Sequence, residues 1–459
     1  MNYLGIEFEM KNKPLLDPDY IPFGSWMESY LTEATRPISI AVEREKGKIS
    51  VFESKLRGKE YKEANVRFLE RYVKFLLWGV GGWKVTICGC SEEEEKLLKE
   101  AYTSSGERSF DVWFMESVYE RPFELVTCEK ENFPKNNEKA VSVGGHMKGC
   151  RIGFDAGGSD RKVSAVIDGE TVYSEEVVWH PKLSEDINYQ YEGIVDSFKR
   201  AASKMPRVDG IGVSSAGVFI GNAPMVSSLF VKIPDKDRHL VKNVYDRAAK
   251  EIGDVPIVVA NDGDVTALAG AMSLDAAPVM GIAMGTSEAG GYVNAERNVL
   301  GWFNELAFAP VDLNEKAMAD PWSKDRGVGA TYFSQDCVIK LAPAAGIELD
   351  ESLTPAEKLS YVQKLMEEGN EGAKNIFLSI GCYLAHTLLL YSKFYDLKYV
   401  LILGRVASGK GGEILIEECK RVLKEDHPAL AEQISVMLPD EKMRRVGQSV
   451  AAASLPAAK

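Results

Sequence analysis

The chain is short of basic charge. Against 68 Asp and Glu it sets 55 Lys and Arg, a formal net charge of −13. That balance argues against general nucleic-acid binding, which depends on clustered cations that neutralise phosphates. An anionic ligand would instead need a local site of backbone N–H groups or a few basic side chains. Long apolar runs are also lacking: no stretch is expected to reach the roughly 20 apolar residues that cross a bilayer, and YVKFLLWGVGGW (72–83) is short and broken by glycine. The opening MNYLGIEFEMKNKP has no basic segment leading into an apolar one, so no signal peptide is read there. A cytoplasmic protein without a membrane partner is the expectation. Cysteine is sparse and odd in number, seven in all, which fits reduced thiols. Cys88 and Cys90 lack the CxxC spacing of metal ligands, and the SEEEE run beside them reads as a helix start capped by Ser91.

What is there is an ordinary globular composition, 45% hydrophobic and 27% charged over 459 residues, enough for two or more cores. Turn formers and charge cluster at NFPKNNEKAVSVGGHMKGC (132–150), which marks a join. Before it, PISIAVER and KISVFESKL read as a hairpin. A helix from about Tyr61 to Trp78, a strand at WKVTICG, a helix from Ser91 to about Tyr102, and strands near FDVWFMESV and FELVTC follow. This first region, 1–140, reads as an α+β unit without a chemical motif. After the join come strands RIGFDAG, KVSAVIDG and TVYSEEVVW, a long helix to about Met205, and strand VDGIGVSSAG. A helix from about His239 to Ile252 leads to strand PIVVAND, a helix ending near Met272, and strands VMGIAMG and GGYVN. A helical region (354–395), strand YVLILGR and a helix from about Gly412 to Lys424 complete the pattern.

Three glycine turns stand at strand ends. In GFDAGGSDRK, adjacent glycines let backbone N–H groups approach a phosphate, and a strand-end carboxylate can hold Mg²⁺ or its waters. An ordinary hairpin turn is the other reading. AMGTSEAGGYVN and LILGRVASGKGGEIL repeat the theme. In VVANDGDVTALAGA (258–271), Asn261 and Asp262 stand where a β-branched strand passes into a small-residue helix. Either they cap the helix, or they face the ligand crevice at the end of a parallel strand; the stretch alone leaves both open.

Taken in order, the Asp-x-Gly-Gly-Ser hairpin, IGVSSAG, ANDGDVTALAGA, MGTSEAGG, LGRVASGKGGEILIE and the terminal VGQSVAAASL resemble the ROK family of bacterial sugar kinases and related repressors, over residues of about 150–455. The resemblance implies an α/β actin-like ATPase (ribonuclease H-like) fold: a lobe at 150–260 and a second at 261–459 around a central cleft, preceded by the α+β region. That region could itself be a degenerate partial copy of the same fold. The resemblance further implies an ATP- and Mg²⁺-dependent carbohydrate kinase. Asp262 would be the general base that takes the proton from the attacking sugar hydroxyl, and Asn261 would bind a neighbouring hydroxyl. Asp155, Gly157, Gly158 and Ser159 would form the first phosphate loop, with Asp155 near Mg²⁺. Gly285, Thr286, Gly290 and Gly291 would form the second, and Gly404 with the Ala407–Gly412 turn, Gly411 included, would lie against the adenosine. Glu305 matches the family's sugar carboxylate, or is a loop acid; Ser214, Ser215 and Gly217 border the sugar, or are satisfied turn residues. A homodimer is what the family implies.

The chain departs from the family at the site. Phe308 stands where a His is usual, the Cys-x-Cys-Gly-x-x-Gly-Cys zinc motif is missing with Cys337 outside its spacing, and a second sugar carboxylate is replaced near Ala330. Asp160 and Glu288 add acids to the two phosphate loops, which Mg²⁺ or Arg161 would have to offset, and Arg405 replaces a glycine. Two functions therefore stand: a sugar kinase with an altered hydroxyl-bearing substrate, or a non-catalytic sensor or scaffold that keeps the ligand cleft.

Overall fold

The computed structural model describes residues 1–138, 143–439 and 447–457. Residues 139–142 of the expected join and 440–446 near the C-terminus lie outside the described residues. Contacts divide the chain into two units: 140–281 with 291–301 and 439–459, and 1–139 with 282–290 and 302–438. This differs from a separate N-terminal region followed by two lobes. Residues 1–139 share a unit with 302–438, and the helix Asp262–Leu274 falls in the same unit as 150–260.

The smaller unit is built on a five-stranded sheet ordered Ile257–Asn261, Gly210–Ser215, Cys150–Ala156, Asp160–Ile167, Glu170–Val178. The first three strands run parallel and the last three form an antiparallel meander. Side chains alternate across the sheet, as the two-residue period of a strand requires. Ile152, Phe154, Ile211 and Val213 enter a core with Ile194 and Phe198 of helix Ile187–Ala202 and Tyr245 and Ala248 of helix Val244–Lys250. On the opposite face, Gly153 and Gly212 leave room for the short helix Gln448–Ala453: a Cβ on either would stand 1.6 Å from a carbonyl oxygen, that of Ser449 or Ala452. No other residue type allows so close an approach of helix to sheet. The helix expected at 239–252 is two, Arg238–Lys242 and Val244–Lys250, divided at Asn243.

In the larger unit, the expected hairpin Arg36–Glu43/Ile49–Leu56 forms, and its sheet continues through Lys84–Cys88 to Glu124–Thr127. The strand 36–43 has antiparallel neighbours on both sides, whereas 150–156 has one parallel and one antiparallel neighbour. The N-terminal region is therefore not a copy of the five-stranded topology. Ser91 caps helix Glu92–Ala101 in a full capping box with Glu94. The strand expected at FDVWFMESV is instead the helix Ser109–Tyr119. Its β-branched and aromatic content suggests a strand, but Asp111, Phe114, Met115 and Val118 repeat at helical spacing and are all buried. Asp111 accepts from Lys74 Nζ at 2.6 Å and Trp78 Nε1 at 2.5 Å, on helix Lys62–Gly79.

A second sheet is ordered Glu288–Val293, Val279–Met284, Tyr399–Leu403, Ser435–Met437, and the hairpin tip at 282–290 counts with the larger unit. Helix Glu371–Tyr391 is long and apolar enough, by length and composition, to cross a membrane, contrary to the sequence expectation. Inside the larger unit it is core: 83% of its apolar window is buried, against helices Phe23–Thr32 and Gly409–Asp426.

Candidate functional site

The parallel strands of the smaller unit end in register. Asp155, Ser214 and Ala260 lie side by side, and Ala156, Ser215 and Asn261 follow one residue on. This carboxyl edge is where ligands bind in open α/β sheets. Asp155 is buried, and Ser214 Oγ donates to its Oδ1 at 2.9 Å. Burial pushes the Asp155 carboxyl up to about 6; the charge of Asp262 adds to the rise, while Ser214 and Lys162 oppose it.

Asn261 does what the capping alternative asks and more. Its Oδ1 accepts from Gly263 N–H at 2.7 Å, and its Nδ2 donates to Gly217 O at 2.8 Å, so one side chain starts the helix and fixes the turn after Ser215. Gly217 needs its φ of +125° and the absence of a Cβ, which would stand 2.3 Å from Val226 O. Asp262, the first residue of the helix, is half-buried and accepts from Gly263 N–H at 3.0 Å. Burial raises its carboxyl above the ordinary range, opposed by that N–H and by the Lys182 ammonium. Capping thus belongs to Asn261, and the Asp262 carboxylate remains at the strand edge.

The turn 157–159 is held from behind. Trp179 donates its Nε1–H to Gly157 O at 2.8 Å and its backbone N–H to Ser159 O at 3.1 Å. Ser159 Oγ donates to Asp160 Oδ2 at 3.0 Å. A Cβ on Gly158 would meet Lys182 Cε at 2.8 Å and Nζ at 2.9 Å, so an ammonium lies against this turn. The sequence reading missed Lys182. The signal was the hairpin register: Asp160 pairs with Val178, so the chain after 178 returns to the turn. Arg161 does not offset Asp160 as expected. Its guanidinium reaches Asp196 at 3.1 Å and lies over Trp179, and the cation near Asp160 is Lys162, 3.6 Å away. Ser215 is also corrected: its hydroxyl is buried and accepts from Tyr245 O–H at 2.8 Å, on the helix side of the sheet.

In the larger unit, the Gly285 turn closes through a 3.0 Å bond from its N–H to Ser287 O, and Thr286 is exposed. Gly404, at φ +91°, packs on the end of the same strand: a Cβ would stand 2.3 Å from Met284 O. The two turns are therefore neighbours, and Arg405 is exposed beside them. At Gly411 the missing Cβ makes room for the Phe377 ring, from which a Cβ would stand 2.7 Å. Gly290 likewise makes room for Asn304 O and Leu306, and Gly291, within the smaller unit, for Gly263 O. Beside that contact the buried Asp264, another residue the sequence reading passed over, accepts from Tyr292 N–H at 3.1 Å.

Glu288 does not add charge to its loop. It is buried, accepts from Tyr391 O–H at 3.1 Å, and burial pushes its carboxyl up to about 8, which keeps it neutral at ordinary pH. Glu305 is half-buried, and its N–H donates to Trp78 O at 3.0 Å, at the end of helix 62–79. Phe308, in place of the family's His, is buried among Trp78 (4.5 Å between ring centres), Trp322 (5.4 Å) and Phe110 (5.6 Å). Ala330 is buried. Among the described residues no group of three or more His, Cys, Asp and Glu is placed to enclose a metal ion.

No protein-family model and no curated protein matches the chain. Solved structures do. A ROK family transcriptional regulator, described as a homolog of the E. coli MLC protein, superposes with a TM-score of 0.53 at 14% identity, covering 67% of this chain and 79% of that one. A ROK hexokinase from Thermus thermophilus superposes with a TM-score of 0.50 at 17% identity, covering 66% of this chain and 97% of that one. At such identities the likeness is one of fold: the chain has the α/β actin-like ATPase fold of ROK proteins over about two-thirds of its length.

Proposed function

From a fold shared with ROK proteins, we propose that the chain is an ATP-dependent kinase that moves the γ-phosphoryl group onto a hydroxyl of a hexose-like sugar. The supporting observation is one cluster in the smaller unit: the Asp262 carboxylate at the strand edge, Asp155 in the next but one strand, and a glycine turn with the Lys182 ammonium against it. Phosphoryl transfer needs positioning and charge stabilisation more than covalent chemistry, which is what such a cluster offers. Asp262 takes the proton of the attacking hydroxyl. Its raised carboxyl is a better proton acceptor than an exposed aspartate, while Lys182 favours the ionised form that must be present beforehand. Asn261, held at both ends of its amide, keeps the strand end rigid and turns its second Nδ2–H to a neighbouring hydroxyl.

Gly157, Gly158 and Ser159 offer backbone N–H groups to a phosphate, and Lys182 supplies the compensating charge. Asp155 and Asp262 lie close enough for the Asp262 charge to raise Asp155, and these two carboxylates would hold Mg²⁺ together with its waters, since this ion keeps several waters and takes one or two carboxylates. Mg²⁺, when bound, neutralises phosphate charge. In the larger unit the Gly285–Thr286 and Gly404 turns are the candidate holders of the nucleotide. The neutral, buried Glu288 leaves their charge unchanged.

A second reading, a sugar-binding regulator without turnover, is favoured by Phe308, whose burial among rings removes a polar contact that kinases of the family use. A coupled ADP-release screen over hexoses, N-acetylhexosamines and polyols separates the two. Sugar-dependent ADP release that vanishes in Asp262→Ala supports the kinase; ligand-induced stabilisation without ADP release from any sugar supports the regulator.

A further inference from the structure

We propose that the larger unit carries a separate binding site for a neutral saccharide, in the hollow between helices 62–79 and 109–119 and the loop 313–326. The hollow has a volume of about 780 Å³ and draws all its walls from this unit. That is room for one or two sugar rings, within the few hundred to about 1,000 Å³ of small-molecule pockets. The inference stands whether or not the chain transfers phosphate, since none of its walls is a residue assigned to that chemistry.

The first observation is a fixed aromatic wall. Trp113 and Trp322 leave 50% and 52% of their surface exposed, although large rings are mostly buried in folded proteins. Phe110 stands between them, 5.6 Å from Trp113 and 5.3 Å from Trp322, and Phe114 lies 6.2 Å from Trp322. Phe308 backs both Phe110 and Trp322. The exposed indoles are therefore held in place by the half-buried Phe110 and the buried Phe114 and Phe308, and they offer flat apolar faces of the kind that receive the C–H face of a sugar.

The second observation is the charge pattern in the rest of the lining. Arg67 reaches Glu315 at 3.2 Å and Glu70 at 3.4 Å. Arg71 reaches Asp325 at 3.2 Å and Glu70 at 3.3 Å, and Arg108 pairs with both of the same acids. Against the cost of burial, three cations, Arg71, Lys74 and Arg108, hold the Asp325 carboxyl well below the usual carboxylate range, so Asp325 stays charged at ordinary pH. Each guanidinium here already carries a carboxylate, and the two remaining cations, Lys324 and Arg326, donate to the backbone carbonyls of Pro321 and Ala317. A phosphate or carboxylate ligand would meet Glu107, Glu315 and Asp325 as it entered. What the rim offers is fork-shaped N–H donors fixed beside carboxylate acceptors. Hydroxyl groups, which donate and accept at once, satisfy both together. Apolar ring faces together with paired donors and acceptors in one hollow match the C–H faces and the hydroxyl groups of a sugar.

The test follows tryptophan fluorescence of the full chain, without nucleotide, as glucose, N-acetylglucosamine, maltose, glucose 6-phosphate or inorganic phosphate is added. A saturable change is expected with at least one neutral sugar. It should weaken at least about tenfold in Trp113→Ala, Trp322→Ala and Glu315→Gln, read by calorimetry for the tryptophan variants, and persist in Asp262→Ala. Glu315 is exposed, so its variant keeps the test valid if a tryptophan variant misfolds. No saturable change with any of the three neutral sugars overturns the proposal. So does binding lost in Asp262→Ala but kept in Glu315→Gln, which puts the sugar at the phosphoryl-transfer site. Binding of the two phosphates alone overturns it in favour of an anion site. A kinase without this binding leaves the proposed activity standing, and this binding without ADP release leaves the saccharide site standing.

Discussion

The Tyr391 hydroxyl donates to Glu288 Oε1 at 3.1 Å in the core of the larger unit, while the other carboxyl oxygen of Glu288 has no hydrogen-bond partner. Gly329 makes room for it: a Cβ there would stand 2.0 Å from Oε2. Burial raises the folded-state carboxyl from 4.5 to about 8, so the folded chain keeps a proton that the unfolded chain loses. Stability must then fall as pH rises through that window and level off above it, because the unfolded state binds fewer protons. Glu288→Gln should match the parent near pH 4.5 and exceed it by a growing margin, on the order of a few kcal/mol, near pH 8. Denaturant melts across this range measure the margin; a constant difference would contradict the assignment.

Lys182 and Arg161 should separate in kinetics. Lys182 lies against the Gly158 turn, whereas Arg161 is spent on Asp196. Lys182→Met is expected to lower sugar-dependent ADP release by about tenfold or more, and Arg161→Met to change it little. Lys182 also holds the Asp262 carboxyl down, so its loss should move the acid limb of the rate profile to higher pH. Steady-state rates of both variants across pH test this.

Close packing of the C-terminal helix on the five-stranded sheet should be visible in stability alone. Gly153→Ala or Gly212→Ala sets a methyl group 1.6 Å from a backbone oxygen and is expected to cost several kcal/mol or prevent folding. Gly447→Ala, with nothing within 4 Å but at the N-cap of the same helix, should cost only about 1 kcal/mol or less. Thermal melts of the three proteins compare them directly.

The strand ends of the candidate site were legible in the sequence. Asp155, Ser214 and Asn261 fall at the ends of β-branched runs, and parallel pairing brings those ends together. The glycines were less informative, since a missing Cβ serves phosphate approach and close packing equally: at Gly290, Gly291, Gly404 and Gly411 a Cβ would meet neighbouring atoms within 3 Å. Glu288 was misread because alternation along a strand does not reveal which neighbour will bury a side chain. Lys182 went unnoticed because only the hairpin register returns it to the turn. The segment 109–119 reads as a strand in sequence because its ring and β-branched content outweighs a helical spacing that depends on a buried Asp111.

The central claim is that Asp262 accepts a proton in phosphoryl transfer, and the direct measurement is sugar-dependent ADP release by the parent chain and by Asp262→Asn, which keeps the shape of the side chain. The account expects release by the parent with at least one sugar and a fall of about 10² to 10⁴ in the variant, with its melting temperature unchanged. An Asp262→Asn protein that phosphorylates the same sugar at the parent's rate would contradict it.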